Sequence, residues 1–214
     1  MVRIRLLRII VCLLVLFSLQ GLRTCGRVPV ATSVESGCPA AVLRWLSDGN
    51  RKERRLSHYD FLVRKYASLI GMDWRLLSAI IYHESKFDER ALSPVGAKGL
   101  MQLMDVAAVH YGEPDADLFD PETNIRLGTV LLEDLVDHFR DEGVAEEDVI
   151  RFAIASYNVG GGSLERRRAQ ADSLGLDRNA WTDVASIFDR EDHSTPDYIK
   201  AVEATYARYC EKYR

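Results

Sequence analysis

At 214 residues, 47% apolar and 28% charged, the chain has the length of about one domain and the composition of an ordinary globular protein. Its formal charge is −4; without the first 25 residues, which carry Arg3, Arg5, Arg8 and Arg23 and no acid, 24 basic stand against 32 acidic residues, a net −8. A body that acidic argues against a nucleic-acid partner, because duplex binding draws most of its affinity from neutralising phosphates.

The chain opens with a targeting pattern. Arg3, Arg5 and Arg8 form a positive segment, and an apolar run, IIVCLLVLFSL, fills residues 9–19. Those 11 residues suit a signal segment and fall short of the ~20 that span a bilayer as a helix. Residues 1–25 are therefore read as a signal peptide or lipoprotein signal, so export is expected. Cys25 follows the run where a lipoprotein signal ends, with Leu22 three positions before it, although Arg23 and Thr24 depart from the small residues usual there. Membrane attachment then has two candidate routes, a lipidated Cys25 or an uncleaved anchor reaching Leu22. If Cys25 is acylated, Cys38 and Cys210 remain as one candidate disulfide; if it is not, an odd thiol is left over.

Residues 26–57 read as a linker, rich in small and turn-forming residues and ending near the charge run RKERR. From His58 the pattern is helical, with no sustained period of two, so 58–214 is expected to be one compact all-α domain. Helices are predicted over 59–70, 74–85, 101–111, 121–139, 146–158, 163–173 and 197–211. The stretch 165–192 shows general helicity and little else.

The second of these helices carries the chemistry. Asp73 is a suitable N-cap for a helix starting at Trp74. Leu77, Ile80 and Ile81 recur at i, i+3 and i+4, and position i+7 on the same face is Glu84. A carboxylate at the end of an apolar stripe is poorly solvated, which raises its pKa into the range a general acid needs. On this helix alone, a structural ion pair would explain Glu84 as well. Two later segments change that balance. ALSPVGAKGLMQLM at 91–104 reads as a tight glycine-containing turn whose Leu100-Met101-Gln102 opens the next helix, with Gln102 offering donor and acceptor to a hydroxylated substrate. Ala155-Ser156-Tyr157-Asn158-Val159-Gly160 ends an apolar helix in glycines, and taken alone it is a helix stop.

Taken together, Glu84-Ser85, Gly96 to Gln102 and Ala155 to Gly160 resemble, in order and spacing, the motifs of the soluble lytic transglycosylase catalytic domain, which shares its fold with goose-type lysozyme. LFDPETNIRLG at 118–128 is similar to the family's connecting segment, and Tyr198 to its late tyrosine. Asp105 departs from the pattern, standing where the family commonly carries proline. The resemblance implies a lysozyme-like all-α domain with a glycan-binding groove, acting on peptidoglycan glycan strands. Together with the export signal it implies the periplasmic side of a bacterial cell envelope as the compartment. It implies Glu84 as the single catalytic acid/base, with Ser85, Ser93, Gly99, Gln102, Met104, Tyr157, Asn158 and Tyr198 positioning the sugars. The implied reaction is non-hydrolytic and leaves 1,6-anhydromuramoyl ends.

Three other readings are weighed against it. A hydrolytic muramidase on the same fold would leave reducing ends, and a catalytically silent module would bind glycan without turnover. His83-Glu84 suggests a zinc protease, but position 87 is Phe, so the paired histidine ligands are absent. No metal or organic cofactor is expected, since the five histidines are scattered and no glycine loop follows a strand.

Overall fold

The computed structural model describes residues 55–191 and 194–213, all within the compact unit Glu53–Arg214. The signal segment, the lipidation candidate Cys25, most of the 26–57 linker and the Cys38 half of the candidate disulfide lie outside the described residues. Among those described there are eight helices and no strand: α1 (Asp60–Leu69), α2 (Trp74–Ser85), α3 (Asp105–His110), α4 (Pro121–Asp141), α5 (Glu146–Val159), α6 (Gly161–Ser173), α7 (Trp181–Glu191) and α8 (Ser194–Lys212). The all-α expectation holds. No described helix is long and apolar enough to cross a membrane.

Local chemistry sets most helix ends. The Asp73 carboxylate accepts from the Arg75 N–H at 2.9 Å and starts α2. Asp120 accepts from the Thr123 N–H at 2.8 Å, with Pro121 in the first turn of α4. Glu146, Glu147 and Asp148 occupy the first turn of α5, where the helix dipole favours anions.

Three boundaries differ from the sequence reading. The predicted helix from Met101 begins instead at Asp105. Before it, Lys98 and Leu103 exchange backbone hydrogen bonds of 2.9 and 3.0 Å, and Gln102 takes a φ of 49°. Leu100-Met101-Gln102 therefore forms a tight reversal, and Asp105 sits at the first helical position, where proline would also fit. The glycine run after Asn158 does stop α5, with Gly160 (φ 81°) as its cap, but α6 follows at once from Gly161 rather than from the predicted 163. Helix α7 was not resolved from the sequence; the Asp148 carboxylate of α5 accepts from the Trp181 N–H at 2.9 Å, so its start is capped from 33 residues away.

One apolar cluster runs through the unit. Helix α2 packs between α1 and α8, while α4 lies along α5 and α6 against α7. Leu77, Ile80 and Ile81 are sealed in this core, each contributing about 1.5–3 kcal/mol by burial. That anchors α2 one turn before Glu84. Behind α5, Phe139, Phe152, Trp181 and Phe188 form a chain of ring contacts at 5.4–6.2 Å.

Candidate active site

Glu84 lies within the last turn of α2, and the helix does not fray before it. Lys86 closes the helix in the left-handed region (φ 56°), its N–H donating to the Tyr82 carbonyl at 3.0 Å, and Phe87 follows at φ 66°. Two bulky residues at positive φ are costly. They turn the chain away immediately beyond Ser85 and leave the Glu84 side chain at the edge of the core.

The Glu84 carboxylate receives a short hydrogen bond from the Tyr198 hydroxyl of α8. Burial raises its pKa above the ordinary 4.5, the Tyr198 bond opposes that rise, and the Lys86 charge opposes it further. Burial dominates, so the protonated form is favoured. Among the described residues, no second carboxylate contributes to its titration. Asp88 is exposed, and Glu89 accepts from the Tyr59 hydroxyl at 2.8 Å instead. Tyr157 and Tyr198 feel the Glu84 charge, and both phenols are pushed above their usual range by burial first and that charge second. They remain neutral donors.

One wall of the site is the reversal at 98–103, held by side chains from three helices. Ser85 of α2 donates to the Leu100 carbonyl at 2.8 Å, and Tyr157 of α5 donates to the Met101 carbonyl at 2.5 Å. Asn124 of α4, with no exposed surface, accepts from the Met101 N–H at 2.7 Å and donates to the Lys98 and Leu118 carbonyls at 2.9 and 2.8 Å. Gly99 (φ 73°) is required here: a Cβ would lie 2.3 Å from the Leu118 carbonyl oxygen and 2.5 Å from Asn124 Nδ2. Asn124 is the residue that sequence reading missed. Its signal was a poor helix former in the buried stripe of α4, beside Ile125 and Gly128.

The residues singled out from sequence thus divide. Glu84, Tyr157 and Tyr198 come together, and Ser85, Gly99 and Gln102 build the adjacent wall. The Gln102 amide donates to the carbonyls of Ala91 (3.2 Å) and Gly99 (3.0 Å), leaving its own carbonyl as the group it can offer. Ser93 spends its hydroxyl inside its own turn, accepting from the Ala97 N–H at 2.9 Å. Asn158 accepts from Thr195 at 3.0 Å and ties α5 to the start of α8. Met104 is 41% exposed. No described cluster of His, Cys, Asp or Glu is placed to hold a metal ion.

The arrangement can give up a proton from Glu84 and take one back, beside neutral donors and a rigid polar wall. The sequence profile of the transglycosylase SLT domain matches residues 61–179. Among curated relatives, the membrane-bound lytic murein transglycosylase F of Marinobacter nauticus is 42% identical over 132 residues, 62% of this chain and 26% of that protein. The one from Desulfosudis oleivorans is 36% identical over 162 residues, 74% of this chain and 35% of that protein. An inactive mutant of the lytic transglycosylase Slt from Pseudomonas aeruginosa superposes with a TM-score of 0.57 at 25% identity, over 79% of this chain and 27% of that one. The 70 kDa soluble lytic transglycosylase from Escherichia coli gives 0.56 at 29%, over 79% and 26%. The chain thus spans about a quarter to a third of the length of these proteins. With more than half of its residues under the family profile, the chain belongs to the transglycosylase SLT domain family.

Proposed function

We propose that this chain is a peptidoglycan lytic transglycosylase that cleaves between N-acetylmuramic acid and N-acetylglucosamine without consuming water. The observation that carries the reading is Glu84 itself: a half-buried carboxylate, its pKa raised mainly by burial, bonded to Tyr198 and without a carboxylate partner among the described residues. Most glycosidases flank the bond with two acids, one serving as nucleophile or activating water. A lone acid suits a reaction whose nucleophile belongs to the substrate.

In the proposed sequence, protonated Glu84 gives its proton to the glycosidic oxygen as the bond from muramoyl C1 breaks. The muramoyl C6 hydroxyl closes on C1, and its proton passes to the Glu84 carboxylate, restoring the acid. Tyr198 steadies the charged intermediate form of Glu84 by its hydrogen bond. Names of the relatives describe those proteins as membrane-bound. They support placing this chain in the cell envelope; the periplasmic side and attachment through a lipidated Cys25 are proposed from the sequence alone.

The test is mass spectrometry of soluble products after incubating the full chain with purified peptidoglycan. Muropeptides ending in 1,6-anhydromuramic acid are expected. Reducing ends would replace the reading with a hydrolytic muramidase, and binding without release would replace it with a silent module.

A further inference from the structure

His83, set aside above because no second histidine accompanies it, has a place in the site. One residue along a helix turns the side chain by about 100°, so His83 leaves the Glu84 edge and meets α8. Its Nε2 lies 2.9 Å from Thr205 Oγ1, a hydroxyl that is only 1% exposed. The Ala201 backbone faces the same imidazole closely enough to favour its protonated form. Its ring packs edge-on against Tyr198, with centroids 6.1 Å apart and planes at 79°. Tyr198, Ala201 and Thr205 are spaced i, i+3 and i+7, one face of α8. A single side chain beside Glu84 therefore grips the face that delivers the Tyr198 hydroxyl.

We infer that His83 is a positioning residue for the reaction at Glu84: by holding Thr205 and Ala201 and packing on Tyr198, it fixes the register of α8 against α2 and so the seat of the Tyr198 hydroxyl on the Glu84 carboxylate. This rests on the proposed reading of Glu84 as the acid/base.

The network also assigns a protonation state. Arg208 Nη2 donates to Thr205 Oγ1 at 2.9 Å, which leaves the hydroxyl proton free to point at His83 Nε2. Nε2 is then the acceptor and the ring proton sits on Nδ1, an assignment made from the bonding pattern. The titratable and charged groups around the ring are Tyr82, Glu84 and Lys86 of α2 and Tyr198 and Arg208 of α8. Burial, then the Lys86 charge, hold the imidazole below its ordinary 6.5, Arg208 adds to this, and the Ala201 backbone opposes it. The neutral ring makes the grip. Protonating Nε2 turns the Thr205 hydroxyl away and brings a cation toward Lys86 and Arg208, so the grip loosens in acid.

A lone Glu84 predicts only an alkaline fall in kcat/KM; loss of the His83 grip predicts an acid fall as well. The experiment follows kcat and KM against pH for the full chain on peptide-free glycan strands, which lack stem-peptide carboxylates. His83→Phe keeps a ring but loses both polar contacts, and it is expected to lower kcat about tenfold with KM little changed, as a small misplacement of a reacting group does. His83→Gln retains a donor and an acceptor, and should restore much of kcat. Both variants should lose the acid limb while keeping the alkaline one. An acid limb unchanged in His83→Gln, or absent from the wild type, overturns the proposal. Should His83→Phe fail to fold, His83→Gln still decides. Turnover persisting in Glu84→Gln would instead sink the reading of Glu84, whereas an inactive Glu84→Gln with an unmoved acid limb would sink only the role of His83.

Discussion

Arg168 and Glu84 are both carried inward in this domain, and they are treated in opposite ways. Arg168 on α6 has no exposed surface, yet each of its three guanidinium nitrogens has a hydrogen-bond partner. It donates to the Arg178 carbonyl at 3.1 Å, to Asn179 Oδ1 at 2.6 Å and to Glu165, with Glu142 at 3.6 Å, and it lies over the rings of Phe139 and Phe152. Glu84 on α2 can accept about four hydrogen bonds, and among the described residues it receives the one from Tyr198. A buried charge met by a full set of partners stays charged and holds helices together. A half-buried carboxylate left short of partners has its pKa raised, so it holds its proton to higher pH than a solvated one. The difference separates the structural pair α6 and α7 from the reactive seam between α2 and α8, with α4 and α5 supplying the wall of the site.

Substitutions at the two sites should break in different currencies. Glu84→Gln is expected to lower cleavage by about 10²–10⁴-fold, the range for removing a general acid, without loss of fold. Because the folded-state pKa of Glu84 is raised, its ionisation is a cost to the fold that appears as pH rises through that pKa. The melting temperature of Glu84→Gln should therefore match wild type in acid and exceed it increasingly towards neutral pH. Over the same window, kcat/KM of the wild type should fall. Arg168→Ala should cost about 3–5 kcal/mol, the usual penalty for breaking a buried ionic network, read by urea unfolding. Tyr198→Phe comes next: losing a bond to a charged acceptor is worth about 1.5–3 kcal/mol, roughly ten- to a hundredfold in turnover. It should also shift the alkaline limb of kcat/KM upward, since that bond favours the charged form. Glu142→Gln is the smallest, below about 1 kcal/mol in stability, because this partner of Arg168 is 43% exposed and 3.6 Å away.

How much of this was legible in the sequence depends on where each signal sits. Helices α2 and α4 announce themselves, because Asp73 and the pair Asp120-Pro121 cap them from within the local sequence and apolar periodicity does the rest. Glu84 was legible for the same reason, as the last position of the α2 stripe. The start of α3 was not, because the reversal at Gly99 to Gln102 is imposed by Asn124, more than 20 residues downstream. The start of α7 was hidden likewise, capped by Asp148 from another helix. Tyr198 entered through family resemblance alone; nothing in its own segment says that α8 will bring it to Glu84. The internal bonding of Ser93 and Gln102 was equally hidden, since residue type states what a side chain can bond and not what it finds.

The most direct test of the central contrast is a carbon-13 NMR titration of the Glu84 side-chain carboxyl in the full chain, repeated in Tyr198→Phe. The account predicts a midpoint above 4.5 in the wild type and a further rise when the Tyr198 bond is removed. A carboxyl titrating at or below 4.5, or one that falls on losing Tyr198, would contradict it.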